Sequence, residues 1–151
     1  MSMLDAKDNE PRSYMEFVDV LRQHGAAPKA DMQALWGRIV FSILISNTDD
    51  HLRNHGFLLG PSGWRLSPAY DMNPVPGSDG LKLLISESDN SLDLDLALDV
   101  AEFFRLNGKA AGLILDQVLT AVRNWRPVAS SVGVSTWEMS EMADAFRLAE
   151  A

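Results

Sequence analysis

The run Ile39-Val40-Phe41-Ser42-Ile43-Leu44-Ile45 has almost no polar face, so the element that carries it must be covered on several sides. Upstream, Met32, Leu35, Trp36, Ile39, Val40, Ile43 and Leu44 keep the spacing of a helix, and Asp31 stands where an N-cap would. Frequent β-branched residues leave a buried strand as the competing reading, which length and the upstream period disfavour. Directly after this apolar rod the composition inverts: Asn47, Asp49, Asp50, His51, Arg53, Asn54 and His55 place seven polar groups within nine residues. A rigid buried element therefore delivers the chain into a dense polar turn, and the remaining segments read as support for that junction.

Ser13 and Glu16 have capping-box spacing, and Tyr14, Phe17, Val18 and Leu21 follow at helical intervals, which predicts a helix ending near Gly25. Phe57-Leu58-Leu59 and Trp64-Arg65-Leu66, separated by a Gly/Pro turn, predict a short hairpin. Pro68, Pro74 and Pro76 cannot continue a ladder, so an irregular loop is expected through Asp79-Gly80, then an extended piece over Leu81–Ile85. Leu96, Val100, Phe103 and Phe104 predict one helix stopped by Asn107-Gly108. Ala111, Ile114, Leu115, Val118, Leu119 and Val122 predict another, ending near Trp125-Arg126-Pro127. Ser135 and Glu138 repeat the capping-box spacing before a last helix carrying Met139, Met142, Ala143 and Phe146. The expected fold is mainly α with a small β-hairpin: a flexible leader over 1–12, then one domain over 13–151.

The 13 basic and 21 acidic side chains give a formal charge of −8, and no run of Lys and Arg offsets it, which disfavours direct nucleic-acid binding. No cysteine is present, so disulfides and thiolate chemistry are excluded and a reducing cytoplasm is expected. No uninterrupted apolar run of about 18 residues exists, so no membrane span is expected.

Asn54 follows Asp49 by five residues, and Asp71 lies 22 residues beyond Asp49 across the hairpin. Kinases place a catalytic Asp, a metal-binding Asn and a second metal-binding Asp in that pattern. Phosphoryl transfer needs one carboxylate to orient and deprotonate a hydroxyl and a few hard oxygens to hold Mg²⁺, and little other chemistry from the protein. His51 and His55 also have the spacing of a helical zinc pair, with Asp49 and Asp50 nearby. The intervening Leu52-Arg53-Asn54 lacks the Glu such a site uses as base and adds a cation, which argues against zinc. A backbone-bonded, loop-orienting His51 is the preferred alternative. Tyr70, beside Asp71, is expected to bury and anchor the loop. Gly108-Lys109 lacks the other residues of a phosphate loop and reads as a helix boundary.

Ile45-Ser46-Asn47-Thr48-Asp49-Asp50-His51-Leu52-Arg53-Asn54-His55-Gly56-Phe57 and Gly63-Trp64-Arg65-Leu66-Ser67-Pro68-Ala69-Tyr70-Asp71 resemble the C-terminal part of HipA-like serine/threonine kinases, the toxin component of bacterial toxin-antitoxin pairs. The resemblance implies a kinase-like C-terminal lobe in which Asp49 is the catalytic base, Asn54 and Asp71 bind Mg²⁺ and ATP, and His51 and Arg53 shape the catalytic loop. Met72 follows Asp71 where kinases commonly have Phe. The implied partners are a protein substrate and an antitoxin-like helix-turn-helix protein. Only 46 residues precede Asn47, and no Gly-rich phosphate loop is among them. The expectation is a lobe lacking its N-terminal kinase lobe, whether cut from a longer protein, encoded by a split gene or working as one of two subunits, and inactive alone. The alternatives are a non-catalytic module that binds an antitoxin-like regulator, and a metal-dependent phosphohydrolase built on Asp49, Asp50, His51 and His55.

Overall fold

Pro28 opens the helix on which everything else packs. The computed structural model describes residues 12–51, 54–86 and 88–151, and in it helix α2 (Pro28–Ile45) carries the apolar run through the centre of the molecule. The leader expected over 1–12 lies, except for Arg12, outside the described residues. Proline suits the first helical position because its φ is already near the helical value and its missing N–H would be unbonded there. Leu35, Trp36, Ile39, Val40, Ile43 and Leu44 are fully buried. The helix reading of this stretch holds, but Asp31 does not cap it. Asp31 lies inside the first turn and turns its carboxylate sideways to Arg65 Nε (2.9 Å), Arg65 Nη2 (3.1 Å) and the Leu66 amide (2.9 Å).

Helix α1 (Met15–His24) packs Phe17, Val18 and Leu21 against α2. Its predicted capping box forms only in part. The Ser13 amide donates to Glu16 Oε2 at 3.0 Å, whereas the Ser13 hydroxyl accepts the Met15 amide at 3.1 Å and donates to the Leu84 carbonyl at 3.0 Å. Ser13 is committed elsewhere because Arg12–Ser13 forms strand β1. The hairpin forms as predicted from β2 (Phe57–Gly60) and β3 (Gly63–Leu66), antiparallel, with Leu58 opposite Arg65 and Leu59 opposite Trp64. Gly63 has φ 132°, and a Cβ there would lie 2.8 Å from the His24 carbonyl oxygen, so the hairpin turn sits against the end of α1 only with glycine in place. In the extended piece before the polar segment, β4 (Leu83–Leu84) pairs in parallel with β1.

The helices after β4 are more broken than the periodicity predicts. The first is split into α3 (Leu94–Asp99) and a 3₁₀ turn over Ala101–Phe104. The Ala97 carbonyl, which would accept from Ala101 in a continuous helix, accepts the Trp36 indole N–H at 2.8 Å. Arg105, in the left-handed region at φ 59°, ends this segment. Asn107 does not stop that helix but caps the next, α4 (Gly108–Arg123), accepting the Ala110 amide at 2.8 Å. α4 ends at Arg123, at the boundary predicted near Trp125, and Pro127 falls in the first turn of the following helix, α5 (Trp125–Ser131), where no N–H is needed. The Ser135–Glu138 capping box is complete, at 2.8 and 3.1 Å, and opens α6 (Thr136–Met142). A 3₁₀ turn (Ala143–Phe146) and α7 (Arg147–Glu150) follow where a single helix was expected. The observed class is mainly α with a small antiparallel hairpin, and α2 is covered by α1, β3, α3, α4 and α7. Among the described residues no helix is long and apolar enough to cross a membrane.

Burial alone would raise the Asp31 pKa, but the Arg65 and Leu66 hydrogen bonds and the charges of Arg65 and Arg38 outweigh it and hold the carboxyl below its ordinary value. A lowered folded-state pKa stabilises the fold above the unfolded pKa, and that stabilisation fades as pH falls through the folded value. Asp31→Ala is expected to cost about 1–3 kcal/mol in urea unfolding at neutral pH, because it orphans the Leu66 amide. Asp31→Asn should remove part of the wild-type loss of stability below about pH 4.

Candidate active site

The rod ends at Ser46, whose left-handed conformation (φ 56°, ψ 47°) turns the chain out of α2. The Ser46 hydroxyl donates to the Ala145 carbonyl at 2.7 Å, and its own carbonyl accepts the amides of Thr48 (2.8 Å) and Val75 (3.1 Å). Asn47 is buried; its Nδ2 donates to Ser42 Oγ at 3.2 Å and its Oδ1 accepts the Asn73 amide at 3.3 Å. These polar contacts bring the irregular segment around Asp71 against the loop that starts at Asn47. Tyr70 is not the buried anchor predicted for that segment; it is 47% exposed.

Asp50 and His55, weighed in the sequence as zinc ligands, are buried and bonded to each other. His55 Nε2 lies 2.8 and 2.9 Å from the two Asp50 carboxylate oxygens, and the Tyr14 hydroxyl donates to Asp50 Oδ2. The His55 ring packs on Phe17 with centroids 5.1 Å apart and meets Tyr14 edge-on. Burial, and then the neighbouring Asp50 charge, pushes the Tyr14 hydroxyl well above its ordinary pKa, so it remains a donor. No three His, Asp or Glu among the described residues are grouped to hold a metal ion, so the arrangement gives no support to the zinc or phosphohydrolase readings. A helical period made Tyr14 look purely apolar, yet a buried tyrosine hydroxyl needs a partner, and that need was the available signal.

The structure brings together two of the predicted metal ligands. Asn54 Nδ2 donates to Asp71 Oδ2 at 2.9 Å, and Asn54 Oδ1 accepts the His51 amide at 2.9 Å. Asp71 is exposed, has φ 55°, and receives Asn73 Nδ2 on its other oxygen at 2.9 Å. A carboxylate and an amide oxygen are hard donors with spare lone pairs, and Mg²⁺ is commonly held by one or two such protein groups with phosphates and water completing the shell. By the chemistry of their oxygens these two residues suit that ion, while in this arrangement the Asn54 group that meets Asp71 is its Nδ2.

Asp49 points to solvent on the same loop, and Lys82 Nζ lies 2.9 Å from its Oδ1. The Lys82 hydrogen bond, then its charge, holds the Asp49 carboxyl below the usual range, so Asp49 is ionised at neutral pH. His51 is half-buried; its backbone amide binds the Asn54 side chain, and its Nδ1 has no hydrogen-bond partner among the described residues. The bond expected from the His51 ring to backbone is not made by Nδ1; His51 contributes its main-chain amide, which donates to the Asn54 side chain. Arg53 lies outside the described residues. Lys82 escaped the sequence reading, although the apolar Leu81 and Leu83 on either side of it mark a position that faces away from the core.

A mainly helical domain presenting an Asp49/Asn54 loop against Asp71 is the class that the fold and site define. A family model described as the HipA-like C-terminal domain matches residues 1–126, and the chain belongs to that family. No curated protein matches its sequence.

Tyr14→Phe should cost about 1–3 kcal/mol by leaving one Asp50 oxygen short of a buried donor, and Asp50→Ala should cost more, because it strands both Tyr14 and His55. Hydrogen exchange at the Asn54 amide, which donates to the His51 carbonyl at 2.9 Å, should accelerate in Asp50→Ala beyond the change in global stability.

Proposed function

We propose that the chain is the catalytic lobe of a HipA-like protein serine/threonine kinase of the toxin-antitoxin class, which transfers the γ-phosphate of ATP to a protein hydroxyl. The observation that carries this reading is the 2.9 Å contact between Asn54 and Asp71, joined through the loop to an exposed, ionised Asp49. Asn54 and Asp71 would hold Mg²⁺, which when bound neutralises charge on the nucleotide phosphates. Asp49 orients the substrate hydroxyl and accepts its proton as the oxygen–phosphorus bond forms. The His51 amide holds the Asn54 side chain in place. The 151 residues contain no Gly-rich phosphate loop, so binding of the α- and β-phosphates falls to an N-terminal lobe that acts with this one. An antitoxin-like regulator is a further partner. The second reading, a non-catalytic interaction module, is favoured by Leu58 and Leu59, which are both exposed on β2, one on each face of the hairpin.

Transfer of labelled phosphate from ATP, measured with the chain and an N-terminal kinase lobe supplied in trans, tests the assignment. Asp49→Asn should lower the rate by about 10²–10⁴-fold, and Asn54→Ala and Asp71→Asn should raise the Mg²⁺ concentration needed for half-maximal transfer. Undiminished transfer by Asp49→Asn would refute its role as base; absence of transfer by every form favours the interaction module.

A further inference from the structure

We propose that Lys82 is a further catalytic residue, whose ammonium contacts the transferring phosphoryl group beside Asp49; the inference rests on the kinase reading above. Lys82 reaches Asp49 across 33 residues of sequence, with Nζ 2.9 Å from Oδ1, and both side chains are more than half exposed, at 60% and 69%. An exposed ion pair of this kind contributes only about 0–1 kcal/mol, so fold stability gives little reason for its placement.

That placement is nonetheless closely fixed. Leu81 and Leu83, on either side, are each 2% exposed. The Leu81 amide donates to the Asn90 carbonyl at 2.9 Å, the Asn90 side-chain amide donates back to the Leu81 carbonyl, and Leu83 is paired with Arg12 in the parallel strands. With its backbone pinned on both sides, Lys82 is delivered over the catalytic loop while its tip stays in solvent, where a ligand can meet it.

The electrostatics call for a cation at this point. Asp49 and Asp71 are carboxylates, the chain carries a formal charge of −8, and a triphosphate would add further negative charge. Arg38 is turned away, donating to the Ser67 carbonyl and lying near Asp31 and Asp50. In the transfer step the hydroxyl oxygen forms its bond to the γ-phosphorus as the bond from phosphorus to the bridging oxygen breaks. The bonding pair leaves with ADP, and the hydroxyl proton passes to Asp49. On taking that proton Asp49 loses its charge and with it the attraction that holds Lys82, while the phosphoryl oxygens beside it remain anionic. The ammonium then donates to those oxygens, stabilising charge where the transition state spreads it.

The test uses the chain together with an N-terminal kinase lobe supplied in trans, and an acyl-phosphate derivative of ATP, which acylates lysine amines lying against the nucleotide phosphates. The chain has four lysines, Lys7, Lys29, Lys82 and Lys109, so peptide mass spectrometry resolves each. Lys82 should be acylated several-fold faster than Lys29 and Lys109, and excess Mg·ATP should reduce its labelling to theirs. In parallel, Mg·ATP is titrated while the amide resonances of Asn54 and Asp71 are followed. Shifts at Asn54 and Asp71 without selective, suppressible labelling of Lys82 would overturn the role of Lys82 and leave the kinase reading standing. Neither shifts nor selective labelling would overturn both.

Discussion

The buried carboxylate of Asp50 is the contact on which the site's geometry depends. Asp50 directly follows the exposed Asp49, and its partner His55 directly follows Asn54. One hydrogen-bonded contact in the core thus closes the loop at both ends and sets the spacing of Asp49 and Asn54. Tyr14 ties the same carboxylate to the start of α1, so the loop is referenced to the helical core and not merely to itself. Burying a carboxylate is costly unless its lone pairs are satisfied, and here a phenol and an imidazole satisfy them. Under the proposed kinase reading, the same contact would also fix the orientation of Asp49 and Asn54 towards a substrate.

A second set of contacts positions Asp71. The segment after β3 has no regular structure, and its prolines prevent any, so its placement falls to individual polar groups: Asn47 to the Asn73 amide, Ser46 to the Val75 amide, and Asn54 to Asp71 itself. On the far side of β3, Asp31 gathers Arg65 and the Leu66 amide, fixing the hairpin to the first turn of α2. The central helix therefore grips the site from both of its ends, through Asp31 at the start and Ser42, Ser46 and Asn47 at the finish.

Elements governed by local periodicity were legible in the sequence. The central helix, the first helix, the hairpin and the Ser135 capping box all follow from spacing that a short window contains. What escaped were choices made by distant neighbours. Trp36 takes the carbonyl that would have continued α3, Arg65 draws Asp31 away from capping, and the parallel pairing with β4 occupies Ser13. The same holds within the site. The Asn54–Asp71 pair could be read from a known spacing, whereas Asp50 and His55 read as candidate metal ligands, because nothing local reveals that Tyr14 stands over them. Tyr70 shows the converse: an aromatic beside Asp71 reads as a residue that can bury, but it stays 47% exposed.

The two-residue pairing of β1 with β4 is small, yet it makes Arg12, Ser13 and Tyr14 a yoke. Arg12 and Ser13 are laced to Leu83 and Leu84, one step from Lys82, while Tyr14 grips Asp50, one step from Asp49. The two members of the exposed ion pair are thus harnessed to three consecutive residues.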